Sequence, residues 1–217
     1  KNLILLQDQQ NAVQRKADLG MATQMDVLNA KSAVENMQAS ILSTEKQIRN
    51  TRQSMCLATG WAYNAEPEIG DLPSVSKEEI LAIDLEADKE EAVKNNYTLS
   101  ANRHRYSNTR VEETKETLED TIKNNESQIR SSVTSSYQAL LQAQSDYEQA
   151  QSELDLAQRQ FDTAALNLSI GNVSQLEYDQ QAFALESAKT GLELKQMAVL
   201  QAYETYKSGV AGLASAG

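Results

Sequence analysis

Residues that break regular structure are scarce in this chain. Its 217 residues include only two prolines and eight glycines, whereas average usage would give about 11 and 15. Aromatic residues make up 5% of the sequence, and Ala, Gln, Glu, Leu, Ser and Lys are abundant. This composition argues against a β-sandwich or an all-β barrel and predicts an all-α fold built from long helices.

Other absences restrict the function. The only cysteine, Cys56, excludes an internal disulfide, and the only histidine, His104, has no Cys pair or second histidine with which to build a zinc site. We find no phosphate loop and no nucleophile motif, so the sequence predicts neither an enzyme nor a cofactor. A net charge of −11 repels phosphate backbones, so nucleic acid is not expected as a partner. Apolar runs of about four residues are too short for a membrane-spanning helix.

Three segments carry apolar residues at every seventh position, as coiled-coil helices do. In the longest segment, the residue three places further along is nearly always Ala or Ser, which favours close approach of two helices. The three series are Val27, Val34, Ile41, Ile48 and Met55; Val133, Leu140, Tyr147, Leu154, Phe161 and Leu168; and Tyr178, Leu185, Leu192, Val199 and Tyr206.

A weaker helical pattern covers residues 85–122. Its predicted seam is Tyr97, His104, Val111 and Leu118. Between residues 119 and 128 the only apolar residue is Ile122, and the seam changes register there. The pattern predicts a break or reversal of the helix at this point, with one continuous helix containing a register shift as the alternative.

Both prolines, Pro67 and Pro73, lie in a single stretch between Gly60 and Ser76. This is the only extended linker that the sequence predicts. The chain then divides into a first coiled-coil hairpin at 1–59, a linker at 60–84, and a second helical repeat with its own hairpin at 85–217.

The two hairpins are related by an internal repeat with an offset of 151 residues, which carries Gly20 onto Gly171 and Gln24 onto Gln175. A duplication of this period indicates two similar helix-turn-helix units. The helix before Gly171 is much longer than the one before Gly20. We therefore expect an N-terminal stretch of the first unit to be absent from this sequence.

The hairpin turns carry the most specific local signal. Each glycine suits the left-handed position just past a helix end, and each turn then offers a hydroxyl N-cap with a carboxylate three residues later. A turn at the end of two long helices is also a natural docking surface. The residues predicted to contact a partner are Leu19, Gly20, Thr23, Asp26, Ile170, Gly171, Ser174 and Glu177.

The order of these motifs resembles the TolC-type outer-membrane efflux family. The family has a repeated signature: a helix that ends in Gly, then Ser/Thr, then Asp/Glu, then an Ala-rich helix. The whole signature is present at residues 20–30, and its part up to the acidic position is present at residues 171–178. Residues 92–99 resemble the family's Ala-x-x-Asn-Asn-Pro-x-Leu segment, with Tyr97 in place of proline. Residues 133–141 resemble the start of the long helix that leads to the turn.

The resemblance implies a homotrimeric helical conduit in the cell envelope, outside the cytoplasm. It implies that the hairpin turns meet a periplasmic adaptor protein and an inner-membrane pump, and that the conduit exports small molecules or proteins passively. One departure is that residues 111–133 are rich in Glu, Lys and Asn and offer no membrane β-strand. We expect a form of the duct without barrel strands in this chain. The alternative function is a structural coiled-coil module of the cell envelope, of the adaptor-hairpin type, with no conduit role.

Overall fold

The computed structural model describes residues 2–68, 70 and 73–214. The predicted linker is covered only in part, because Ile69, Asp71 and Leu72 lie outside the described residues. The described residues form seven α-helices and one π-helical turn, and they contain no strand, which confirms the all-α fold class. The helices are α1 (Asn2–Asp18), α2 (Gln24–Ala58), α3 (Lys77–Leu81), α4 (Leu85–Asn95), α5 (Tyr97–Asn108), α6 (Glu112–Ser169) and α7 (Gln175–Ser208), followed by the turn Gly209–Leu213.

Contacts divide the chain into two compact units. The first comprises Lys1–Asp71 with Asp155–Ser187, and the second comprises Leu72–Leu154 with Ala188–Gly217. Both α6 and α7 therefore contribute residues to each unit. The predicted boundaries after residues 59 and 84 follow the order of the chain, whereas the contacts group segments that are distant in sequence.

In the first unit, α1 packs against the first half of α2. Leu5 of α1 and Val34 of α2 are buried there. The end of α6 and the start of α7 meet through the rings of Phe161 and Tyr178, whose centroids are 5.3 Å apart. Ala157 and Ala164 are buried on the same seam of α6, so the predicted small positions do face inward.

The second unit holds the main apolar core. One cluster joins α4, α5, α6, α7 and the C-terminal turn through Val93, Leu99, Ile129, Val133 and Tyr206. A second cluster joins Ile80 of α3 to Leu140 of α6 and Val199 of α7. Because Ile80 is fully covered, α3 anchors the chain that follows the linker.

The C-terminal turn is held by α4 and by the turn between α4 and α5. Asn96 is buried, and its amide nitrogen donates to the carbonyl oxygens of Gly212 at 3.1 Å and Ala214 at 2.9 Å. Gly212 has φ +104°, and a Cβ there would lie 2.4 Å from the carbonyl oxygen of Asn95. Only glycine fits this close backbone approach.

The predicted break at 119–128 is wrong. Helix α6 runs without interruption through this stretch, and the chain leaves helical structure instead at residues 109–111. The seam continues through Asn125, Ile129 and Val133, all of which are buried. A four-residue step shifts the register within one helix, and a buried asparagine, Asn125, occupies one position of the seam.

The predicted seam of residues 97–118 is also wrong. Tyr97 is 87% exposed and Val111 is 60% exposed, and His104 is on the surface. Helix α5 instead buries Leu99 and Asn102. The seam runs across residues 109–111, where the backbone is not helical, and a helical period has no meaning across such an interruption.

The α2 seam is covered over only part of its length. Val34 is buried beneath α1, but every residue from 38 to 55 is exposed within the described chain. The apolar series therefore continues at exposed positions, which are Ile41, Ile48 and Met55.

Candidate functional site

The two predicted docking turns, residues 19–26 (the first turn) and 170–177 (the second turn), both lie in the first unit. Each follows the end of one helix and leads into the next: α1 to α2 and α6 to α7. All eight predicted docking residues are therefore at helix ends or in the connecting turns.

In each turn a glycine closes the preceding helix in the left-handed conformation. Gly20 has φ +71° and Gly171 has φ +77°. The N–H of Gly20 bonds to the carbonyl of Ala17 at 2.9 Å, and the N–H of Met21 bonds to that of Lys16 at 2.7 Å. This pair of bonds is a Schellman motif, which satisfies the last carbonyls of α1.

The second turn has the same two bonds. The N–H of Gly171 reaches the carbonyl of Leu168 at 3.0 Å, and that of Asn172 reaches Asn167 at 2.8 Å. No atom lies within 4 Å of a Cβ placed on either glycine. The need for glycine is therefore conformational, and the space beside both glycines is open.

A reciprocal capping box starts α2. The N–H of Asp26 donates to the hydroxyl of Thr23 at 3.2 Å, and the backbone N–H of Thr23 donates to the Asp26 carboxylate at 2.8 Å. The Thr23 hydroxyl also donates to that carboxylate at 2.7 Å. These bonds, the hydroxyl of Thr23 first, hold the pKa of Asp26 below its ordinary value.

The start of α7 has a matching arrangement. The N–H of Glu177 donates to the Ser174 hydroxyl at 3.2 Å, and the N–H and hydroxyl of Ser174 donate to the Glu177 carboxylate at 2.7 and 2.9 Å. The pKa of Glu177 is lowered, chiefly by the backbone N–H of Ser174. The predicted cap residues in both turns thus fix the chain path, and their carboxylates are occupied by local hydrogen bonds.

Large apolar side chains are exposed at both turns. Leu19 is 75% exposed and Ile170, its counterpart at the 151-residue offset, is 61% exposed. The first turn also exposes Met21 and Met25, at 74% and 63%. The sequence motif of the turn does not include these two methionines, because neither of them ends or caps a helix. The same sequence nevertheless places them on either side of the capping hydroxyl.

An open groove lies beside the second turn, between α6 and α7. Its volume is about 560 Å³, and its walls include Arg159, Asn167, Glu177 and Gln181, with Ala164 among the lining residues. The surface is amide-rich and contains no nucleophile paired with a base. Across the described residues, no group of three or more His, Cys, Asp or Glu side chains could hold a metal ion.

No helix among the described residues has the length and hydropathy needed to cross a membrane. No family model matches the sequence, and no curated protein matches it at a significant level.

Proposed function

We propose that this chain is the helical, adaptor-docking part of a TolC-like export duct of the cell envelope. In this role it lines or extends a passive conduit for small molecules or proteins. Its two helical hairpins, α1–α2 and α6–α7, are coiled-coil hairpins that form two structural repeats. Their turns contact a periplasmic adaptor that links the duct to an inner-membrane pump. The chain performs no chemistry of its own.

One observation carries this proposal. Two turns 151 residues apart have the same Schellman bonds and the same hydroxyl–carboxylate capping box, and both display a large aliphatic side chain immediately before the glycine. Local stability does not require Leu19 or Ile170 to be exposed, because the caps are completed by other residues. An exposed aliphatic side chain on a rigid turn is suited to contact with a partner.

Photo-cross-linking tests the docking step. A photoreactive amino acid replaces Leu19 in one variant and Ile170 in another, and Leu194, an exposed leucine of α7 away from the turns, in a control. We expect both turn variants to cross-link, in the cells that make the protein, to an adaptor encoded with an inner-membrane pump. Equal capture of the adaptor from position 194, or no capture from either turn, contradicts the proposal.

Light scattering over a range of concentrations tests the conduit. The proposal requires that the chain assembles into trimers at high protein concentration or when the adaptor is present. A strict monomer under both conditions contradicts the conduit and leaves the structural coiled-coil module as the function.

A further inference from the structure

The first turn differs from the second in one chemical respect, which is its sulfur content. Two of the five methionines of the chain lie within residues 19–26, at positions 21 and 25. The corresponding residues of the second turn, Asn172 and Leu176, contain no sulfur. Any chemistry of the thioether group therefore acts on one of the two otherwise matching turns.

Both thioether groups are open to solvent. Met21 is 74% exposed and Met25 is 63% exposed, whereas Met37, on the part of α2 that α1 covers, is half-buried and its sulfur lies 4.0 Å from the amide nitrogen of Asn2. Exposure controls how readily a methionine is oxidised. The structure thus sets two exposed methionines on the first turn, whereas the same hairpin holds the half-buried Met37 and, further along α2, the exposed Met55.

We propose that Met21 and Met25 form an oxidation-sensitive site that switches docking by the first turn. The oxidant is a two-electron oxygen donor of the peroxide class. The thioether sulfur attacks a peroxide oxygen, the O–O bond breaks and an S–O bond forms. Hydrogen peroxide is thereby reduced to water, and the sulfur loses two electrons to become a sulfoxide.

The consequence for docking follows from polarity. A sulfoxide is polar and carries a strong hydrogen-bond acceptor, so burying it against an apolar partner surface without a donor is costly. Oxidation of both side chains adds two polar groups to the exposed surface of the first turn. Sulfoxide reductases reverse the change, so the first turn can recover, while the second turn is unaffected throughout. This consequence rests on the docking role proposed above.

Peptide mapping by mass spectrometry tests the site itself. The folded protein is treated with hydrogen peroxide, and sulfoxide formation is followed at all five methionines. We expect Met21 and Met25 to be oxidised at least about threefold faster than Met37, with the helical circular dichroism unchanged. Equal rates at positions 21, 25 and 37 would overturn the proposed site, whatever the function of the turn.

The cross-linking variants test the switch. After peroxide treatment we expect the yield of adaptor cross-links from position 19 to fall roughly tenfold, and the yield from position 170 to stay the same. The double variant M21L/M25L is compared with itself before and after peroxide, and its yield should not change. The control variant M55L/M197L removes two exposed methionines away from the turn and should remain sensitive.

The outcomes separate the two proposals. An unchanged yield from position 19 when both methionines are fully oxidised overturns the switch but leaves docking intact. A loss of yield at both turns points to damage elsewhere and also overturns it. Absence of cross-links from either turn before peroxide contradicts the proposed function, and the switch then falls with it, while the oxidation rates still decide whether the reactive site exists.

Discussion

At the scale of single residues, the two turns depend on backbone conformation more than on packing. Gly20 and Gly171 both have positive φ, and neither would meet another atom if a Cβ were added. Gly191 is the natural comparison, because it lies inside α7 with ordinary helical geometry and is equally free of neighbours. The three glycines therefore separate the effect of φ from that of space.

We expect Gly20→Ala and Gly171→Ala each to lower the free energy of unfolding by about 1 kcal/mol, since an L side chain is strained in the left-handed region. The same change at Gly191 should raise it by about 1 kcal/mol, because alanine is the better helix former. Chemical denaturation followed by circular dichroism measures all three. A Gly191→Ala variant as unstable as the turn variants would contradict this account.

The caps predict how the turns respond to acid. The pKa values of Asp26 and Glu177 are lowered in the folded chain, so the folded state binds these protons less readily than the unfolded state. Their contribution to stability is therefore complete above the ordinary carboxyl pKa and is lost as the pH falls through the lowered value. Asp26→Asn and Glu177→Gln should reduce the acid dependence of unfolding below about pH 4 to 5.

Glu153→Gln, on the polar surface of α6 and outside the caps, is the control. Identical acid profiles for the wild-type chain and both cap variants would show that the caps do not contribute.

At the scale of helices, Asn96 joins three elements with one side chain. Its carbonyl oxygen accepts from the N–H of Leu99 at 3.0 Å and caps α5, while its amide nitrogen donates to two carbonyls of the C-terminal segment. Replacing it with alanine removes an N-cap, costing about 1 kcal/mol. It also leaves buried carbonyls unpaired, at about 1 to 3 kcal/mol.

Asn96→Ala should therefore destabilise the protein by roughly 2 to 4 kcal/mol in total. Asn96→Asp keeps the acceptor for Leu99 but loses the donor, so it should restore little of the loss. Asn108→Ala, an exposed asparagine at the end of α5, should cost less than about 0.5 kcal/mol. Denaturant titrations of the three variants check the order, and an Asn96→Asp variant of wild-type stability would show that the clamp on the C-terminal segment contributes nothing.

The helices also show which features a sequence can predict. Heptads in α6 and α7 correctly named Val133, Leu140, Leu185 and Val199 as buried, because an uninterrupted helix preserves its period. Prediction failed where polar residues are buried. Asn96 interrupts the helix and Asn125 belongs to the core of α6, and composition gives no sign that either amide finds its partners inside.

Capping signals predict some of the helix starts but not all of them. Both turns are predicted because glycine, hydroxyl and carboxylate follow one another within seven residues. The same capping signal, Ser76 with Glu79, begins α3, which lies inside the stretch 60–84 that the two prolines predict as linker. The role of Ile80 depends on Leu140 and Val199, which are distant in sequence, so no local pattern could reveal it.

At the scale of the whole molecule, we expect local stability to differ between segments, because some segments are buried and others are exposed. Every residue of α2 from 38 to 55 is exposed within the described chain, and most of the stability of a helix in a protein comes from the packing of its apolar face. By contrast, α6 buries Ile129, Val133 and Leu140 completely. Backbone amides in residues 38–55 should therefore exchange with solvent far faster than those around residues 129–140.

A pair of truncations makes this contrast quantitative. Leu140→Ala should cost about 2 to 5 kcal/mol, since it opens a cavity in the second unit, whereas Ile48→Ala should change the free energy of unfolding by less than about 0.5 kcal/mol in the isolated chain. Ile48 is 61% exposed and has little packing to lose here. If assembly covers this face, as a conduit requires, Ile48→Ala should become costly only in the assembled state, and hydrogen exchange of residues 38–55 should slow there. A large effect of Ile48→Ala on the monomer would mean that the face is already packed within one chain, and the α2 seam would then be unavailable for assembly.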